Sequence, residues 1–156
     1  MGVNESFVGR TFRLAEPFEV TVPALVAFSR AVGATDRVCF DRAAAQAAGY
    51  AGIVAAPTFA CVIGQSVEAL YIGCPEAGID FSHVVHAEER IAQQRPIVAG
   101  DVISAALEVE KIQVRGPLTT VTTRADLTDA GGAPVAQVWS TLAVRGAQSE
   151  PAGGAR

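Results

Sequence analysis

Residues 55–71 read AAPTFACVIGQSVEALY and form the longest helical pattern in the chain. Apolar side chains recur there at intervals of three and four residues, which predicts an amphipathic helix from about Thr58 to Tyr71. The predicted apolar stripe consists of Phe59, Val62, Ile63, Val67 and Leu70. The opposite face carries Cys61, Gly64, Gln65 and Glu68. We interpret this segment as a helix of the protein core.

Beyond Phe81 the hydrophobic period changes from that of a helix to two, which predicts strands. In the second strand the parity of the apolar residues changes between Val109 and Ile112, so we expect a β-bulge near Glu110–Lys111. The segment DAGGAP predicts a hairpin turn between the last two strands. The fold class is therefore α+β, with a bent antiparallel sheet wrapped around one long central helix. The predicted strands read HVVHAEERIAQQR, VISAALEVEKIQV, LTTVTTRADLTD and PVAQVWSTLAVRG.

Two shorter helices are predicted before the long one. Thr21 is a suitable N-cap with Pro23 in the first turn, and Gly33 ends that helix. The second begins at Asp41 and stops at Gly49. We expect one domain over residues 1–146 and a disordered tail over 147–156.

Composition excludes several classes of function. The 156 residues are 50% hydrophobic with a net charge of −4, and no basic cluster could follow a phosphate backbone, so we expect no nucleic acid partner. No apolar run spans a bilayer and no signal-peptide pattern is present, which predicts a cytoplasmic protein without a membrane partner. Cys39, Cys61 and Cys74 lack CxxC spacing, so we expect free thiols. No metal site or cofactor is expected, because His83 and His86 would point to opposite sides of a strand.

Four motifs together resemble one family of enzymes. They are FVGRTF at 7–12, GYAGIVAAPTF at 49–59, RPIVAGD at 95–101 and VWSTLAVRG at 138–146. In order and spacing they resemble the MaoC-like (R)-specific hydratase/dehydratase family, over about residues 7–146. The resemblance implies a hot-dog fold. Within the family, the chain is most similar to the small acyl-carrier dehydratase subunits of actinobacterial fatty-acid and mycolic-acid elongation, which work as heterodimers.

The catalytic signature of that family is incomplete in this chain. Active members carry G-D-x-N-P-x-H, whose aspartate and histidine move a proton between C2 and C3 of a 3-hydroxyacyl thioester. Aligned with this signature, residues 33–39 place Ala34 at the aspartate and Cys39 at the histidine. Active relatives also use a glycine N–H at the start of the long helix to hold the thioester oxygen, and Pro57 has no N–H to donate.

The resemblance therefore implies a non-catalytic subunit that accommodates substrate, with no catalytic residue of its own. A second hot-dog chain would supply the aspartate and histidine, and the sheets of the two chains would pair edge to edge. The acyl thioester would be carried on acyl-carrier protein or coenzyme A. The expected substrate-binding residues are Pro57, Thr58, Cys61 and Gln65.

Other interpretations of single residues stay open at this level. Cys39 is either a replacement nucleophile or a small thiol at a vacated position, and Cys61 either lines the acyl tunnel or packs in the core. Asp36 is better explained as a turn residue and Asp41 as an N-cap than as catalytic groups. Glu68 is comparable with the helix carboxylate of hot-dog thioesterases, but it lies near the helix end.

Two further functions therefore remain. The chain could be a homodimeric enzyme of altered chemistry, such as a thioesterase or a dehydratase of a secondary pathway, using Asp36, Cys39 or Glu68. It could also be a stand-alone acyl-binding protein.

Overall fold

An antiparallel sheet wraps around one long helix in the computed structural model, which describes residues 2–146. The tail predicted to be disordered, 147–156, lies outside the described residues. The helices are α1 (Val22–Ala31), α2 (Arg42–Ala47) and α3 (Ala60–Ile72). The strands are β1 (Thr11–Arg13), β2 (Phe18–Glu19), β3 (Val84–Gln93), β4 (Val102–Arg115), β5 (Leu118–Thr128) and β6 (Pro134–Arg145).

The strand order within the sheet is β1-β4-β5-β6-β3, and β2 also pairs with β4. All of these pairings are antiparallel. The register shifts between Val109 and Lys111, which confirms the predicted bulge, and a second shift lies between His86 and Glu88. The sheet does not close, so β3 forms one of its edges. An edge strand leaves a row of backbone donors and acceptors open for pairing.

The caps predicted for the short helices are confirmed. Thr21 is the N-cap of α1, and its hydroxyl accepts a hydrogen bond from Ala24 N. The Asp41 carboxylate accepts hydrogen bonds from Ala43 N and Ala44 N and begins α2. Each cap satisfies backbone N–H groups that have no partner inside the helix.

The turn that contains the RPIVAGD motif is held by an ion pair. The Arg95 guanidinium donates to both carboxylate oxygens of Asp101, at 2.8 and 3.0 Å. Val98 N donates to the same carboxylate at 2.9 Å. A bidentate pair of this kind fixes orientation as well as position. The motif therefore sets how the chain turns from β3 into β4.

Helix α3 packs on the concave face of the sheet against β1, β4, β5 and β6. At its centre Gly64 faces Val138 of β6, and a Cβ atom added to Gly64 would lie 3.1 Å from Val138 Cγ1. The missing side chain thus lets the helix approach the sheet closely. At the C-terminal end of α3, the centroid of the Tyr71 ring lies 5.9 Å from that of the Phe7 ring and 5.5 Å from that of the Phe12 ring. This aromatic cluster ties the N-terminal segment to α3.

The predicted faces of α3 are partly wrong. Phe59, Ile63 and Val67 are buried as expected, but Leu70 is 44% exposed. Gly64 and Glu68, predicted on the opposite face, are buried instead. Gly64 and Glu68 are buried because the sheet curves around the helix, so the helix surface that contacts the sheet is wider than the single apolar stripe.

Because Gly64 permits the close approach, we expect Gly64→Val to lower the free energy of unfolding by about 2 kcal/mol through overpacking against Val138. Urea denaturation measures this loss. Ala69→Val, at an exposed position of the same helix, is the matched control for the β-branched side chain. Adding Val138→Ala to Gly64→Val should restore part of the loss. Equal destabilisation by Gly64→Val and Ala69→Val would contradict the close-packing explanation.

Candidate functional site

The loop that corresponds to the incomplete signature lies beside the segment leading into α3. It follows α1, and Ala34 N donates to Ser29 O at 2.9 Å. Further along, Val54 N donates to Val38 O at 2.9 Å. The second bond joins the loop directly to residues 53–56, which precede the 3-10 turn at Pro57–Phe59. The loop thus keeps a fixed position relative to the entry of the long helix.

Both acidic side chains of this loop serve as caps. The Asp36 carboxylate accepts from Val38 N at 3.1 Å and begins the 3-10 turn Arg37–Cys39. One oxygen of Asp41 caps α2, and the other accepts from Arg37 Nη2 at 2.7 Å. The hydrogen bond from Arg37 lowers the pKa of Asp41 below its ordinary value. These contacts account for both carboxylates without a catalytic role.

Cys39 and Ala34 provide no acid–base pair. Cys39 is 5% exposed, and burial raises the pKa of its thiol above the ordinary value, with the Ser29 hydroxyl beside it. Because the thiolate is the reactive form, a raised pKa makes this thiol a weaker nucleophile at neutral pH. Ala34 has no titratable group. The geometry favours the interpretation of Cys39 as a small buried thiol at a vacated position.

The four predicted substrate-binding residues lie along one side of α3 and its entry turn. Pro57 and Thr58 are exposed in the 3-10 turn, Cys61 is half-buried one turn later, and Gln65 is exposed. Burial, together with the neighbouring Glu89 carboxylate, raises the pKa of Cys61 to about 12. The Cys61 thiol therefore stays protonated near neutral pH and is not a nucleophile there. Gln65 lines the cavity between α3 and β3. Pro57, Thr58 and Cys61 do not line that cavity.

A group of polar side chains lies between α3 and the sheet, and most of it was missed from the sequence. Thr123 Oγ1 donates to Glu68 Oε1 at 2.8 Å. Ser140 Oγ neighbours Glu68 and lies 3.3 Å from His86 Nε2. His86 Nε2 lies 2.6 Å from Glu89 Oε2. We call these five residues, Glu68, His86, Glu89, Thr123 and Ser140, the Glu68 cluster.

The two carboxyl groups of the cluster differ in their surroundings. Glu68 is 6% exposed, and burial raises its pKa above the ordinary value, opposed in part by hydrogen bonds from Thr123 and Ser140. Both carboxylate oxygens of Glu89 are buried and meet no well-aligned donor among residues 2–146. The polar neighbours of Glu89 include the His86 imidazole, in close contact, the Cys61 thiol and Glu68. The cluster is thus an acid–base group whose carboxyl oxygens are mostly buried and which has hydrogen-bonding capacity left over.

The Glu68 cluster borders a cavity of about 430 Å³ between α3 and β3. Its polar lining comes from Gln65, Glu68 and His86. Its apolar lining includes Ile72, Phe81, Val84 and Leu142. An apolar hollow with a few convergent polar groups is typical of a small-molecule site.

Two sequence signals could have located the Glu68 cluster. Gln65 and Glu68 lie three positions apart on a mostly apolar part of the helix, so they share a face. Thr123 and Ser140 occupy inward positions of β5 and β6 whose neighbours on the same face are apolar. Polar residues at such positions are unusual because burying them without partners costs free energy.

Neither a metal centre nor a membrane helix is present in the part of the chain that the structure describes. Within residues 2–146, no three histidine, cysteine, aspartate or glutamate side chains are grouped as metal ligands would be. Over the same residues, every helix is too short or too polar to cross a bilayer. His83, predicted on a strand, lies instead in the 3-10 turn Phe81–His83 and contacts Asp80 at 2.9 Å.

The raised pKa of Glu68 predicts a pH-dependent effect of Glu68→Gln. The folded state holds this proton more tightly than the unfolded state, so wild-type stability falls as pH rises from the unfolded pKa towards the folded one. The stability difference between Glu68→Gln and wild type should therefore shift in favour of the variant as pH rises through that window. Above the window the difference should stay constant. Denaturation at a series of pH values measures the difference, which we expect to reach a few degrees in melting temperature. Glu88→Gln, exposed on β3, is the control. A pH-independent difference for Glu68→Gln would contradict this account.

Comparison with known proteins agrees with the fold. Residues 6–138 match the family described as FAS1-like, dehydratase domain region. A UPF0336 protein of Leifsonia xyli is 40% identical over 144 residues, which are 92% of this chain and 97% of that protein.

Two solved structures are similar over most of the chain. The HadBC (3R-hydroxyacyl-ACP dehydratase) complex of Mycobacterium tuberculosis superposes with a TM-score of 0.79 and 26% identity, over 88% of this chain and 96% of that one. A MaoC-like dehydratase gives a TM-score of 0.83 and 26% identity over 92% of this chain, which spans 43% of that longer one. These similarities confirm the hot-dog architecture. The chain belongs to the FAS1-like dehydratase family of MaoC-like hot-dog proteins.

Proposed function

We propose that this chain is the non-catalytic, substrate-accommodating subunit of a heterodimeric (3R)-hydroxyacyl thioester dehydratase of fatty-acid-type elongation. The complex would be cytoplasmic, and the thioester would be carried on acyl-carrier protein or coenzyme A. The observation that carries the proposal is the signature loop. Its framework of helix caps is intact, while Ala34 and the buried Cys39 stand where the proton-transfer groups would be.

The start of α3 supports the same conclusion. Active relatives are expected to hold the thioester oxygen with a glycine N–H at this point, and Pro57 occupies the first position of the 3-10 turn. Proline has no N–H, so this position can give no hydrogen bond to a developing oxyanion. The loop and the helix entry therefore lack two separate parts of the machinery that dehydration of a 3-hydroxyacyl thioester requires.

The edge strand β3 is the surface that we assign to the partner. Its free edge can extend the sheet into a second hot-dog chain. Val85 on this strand is 65% exposed, and Phe81 just before it is 70% exposed. Exposed apolar side chains next to an open strand edge fit a surface that another chain covers. The HadBC complex, whose chain is similar to this one, is itself an assembly.

A homodimeric enzyme of altered chemistry, such as a thioesterase, is favoured by one observation. Of its three candidate residues, Asp36 is engaged in a cap and Cys39 has a raised thiol pKa. Glu68 remains, because it borders the cavity and is a buried carboxyl group. Such an enzyme would act without a second type of chain, which the following experiment distinguishes.

The activity test compares the chain alone with the chain co-purified with a hot-dog partner that has an intact Asp/His signature. We expect hydration of a trans-2-enoyl thioester only by the complex. Replacing the partner's aspartate or histidine should lower kcat by about 100-fold or more, the usual contribution of acid–base catalysis. Cys39→Ala in this chain is the matched control and should leave the activity of the complex unchanged. Robust activity of the isolated chain would refute the proposal, as would activity with a partner that lacks its own pair.

The partner surface predicts a separate effect on assembly. Val85→Lys should weaken association with the partner, because a charge would have to be buried at the strand edge. The stability of the chain itself should change little, since the side chain is already exposed. Val114→Lys, at an exposed position on β4, is the control. Native mass spectrometry and size-exclusion chromatography measure the assembled fraction. Undiminished assembly of Val85→Lys would show that the partner binds elsewhere.

A further inference from the structure

We propose that the cavity between α3 and β3 binds a hydroxyl group carried by an acyl chain, with Glu68 and His86 as its hydrogen-bonding partners. This inference rests on the proposed function in assuming an acyl ligand. It goes beyond that function by assigning a polar specificity site to this chain.

The walls of the cavity fit hydrocarbon. Ile72 of α3, Val84 of β3 and Leu142 of β6 form apolar sides, and Phe81 is at the rim. The volume of about 430 Å³ lies within the range of small-molecule sites. A small hydrophilic ligand would leave these walls without favourable contacts. A flexible alkyl segment would fill the space between the walls and contact them.

One end of the cavity is polar, and its groups are only partly satisfied. Glu68 receives hydrogen bonds from Thr123 and Ser140 on the side of the sheet, yet a carboxyl group has room for about four. His86 borders the same cavity and is half exposed there. Gln65 lies at the exposed margin. Polar groups that converge on an apolar hollow fix the position of one polar atom of a ligand.

The charge beside the cavity disfavours an anionic ligand. Glu68 lines the cavity and has Glu89 near it, so a free carboxylate bound there would lie close to acidic side chains. A hydroxyl is neutral and both donates and accepts a hydrogen bond. It can therefore pair with Glu68 in either protonation state and with either tautomer of His86. Two hydroxyls could fit: that on C3 of the proposed substrate, or one further along the chain.

The experiment measures binding to the purified chain by calorimetry, without any partner. The probes are the decanoyl, 3-hydroxydecanoyl and ω-hydroxydecanoyl thioesters of N-acetylcysteamine. We expect one hydroxylated probe to bind about tenfold more tightly than decanoyl, and the identity of that probe distinguishes the two sources. Glu68→Leu and His86→Leu should each remove this preference while leaving decanoyl binding at least as tight.

If Glu68 had a purely structural role, Glu68→Leu would weaken the binding of all three probes alike. The ratio of the affinities for hydroxylated and plain decanoyl probes therefore separates the two roles. His86→Leu keeps the test decisive if Glu68→Leu fails to fold, because His86 is half exposed on an edge strand. Ser66→Ala is the matched control, since the Ser66 hydroxyl donates to Val62 O within α3 and does not reach the cavity. Equal binding of all probes, or a preference that survives both leucine variants, would overturn the inference. Because no dehydration is measured, this outcome is independent of whether the complex is a dehydratase.

Discussion

Helix α3 lies on the sheet at a distance that Gly64 permits, and that distance determines what else the helix must bury. With no side chain at Gly64, the helix backbone comes close to Val138 of β6. One turn further along, Glu68 is then carried against the sheet, where Thr123 and Ser140 supply hydroxyl groups. A buried carboxyl group is tolerated only with such partners. The closeness of the packing and the presence of a polar cluster are therefore two results of the same contact.

Much of the fold follows from periodicity and caps that the sequence displays directly. Thr21 and Asp41 are followed by helical segments, and their cap hydrogen bonds form as expected. The parity change after Val109 marks a bulge because side chains alternate strictly along a strand. These features depend on residues close together in the chain, so local rules are sufficient to predict them.

The candidate site was less predictable because it depends on residues that are distant in the chain. Glu68 and Thr123 are 55 positions apart, and only the folded sheet brings them together. The apolar stripe of α3 predicts Glu68 on the face away from the core, because a polar residue is expected to be exposed. The same stripe places Leu70 in the core, although Leu70 is 44% exposed. The error at Glu68 arises from treating α3 as a helix with one partner surface, when a curved sheet surrounds more of its circumference.

The position of β3 has a consequence for the order of events during binding. This strand supplies both the free edge of the sheet and part of the cavity wall, through Val84 and His86. Any chain that extends the sheet at β3 would also cover the adjacent opening. Ligand exchange would then become slower after association than before it, so the residence time of a bound acyl chain would report on how long the two subunits stay together.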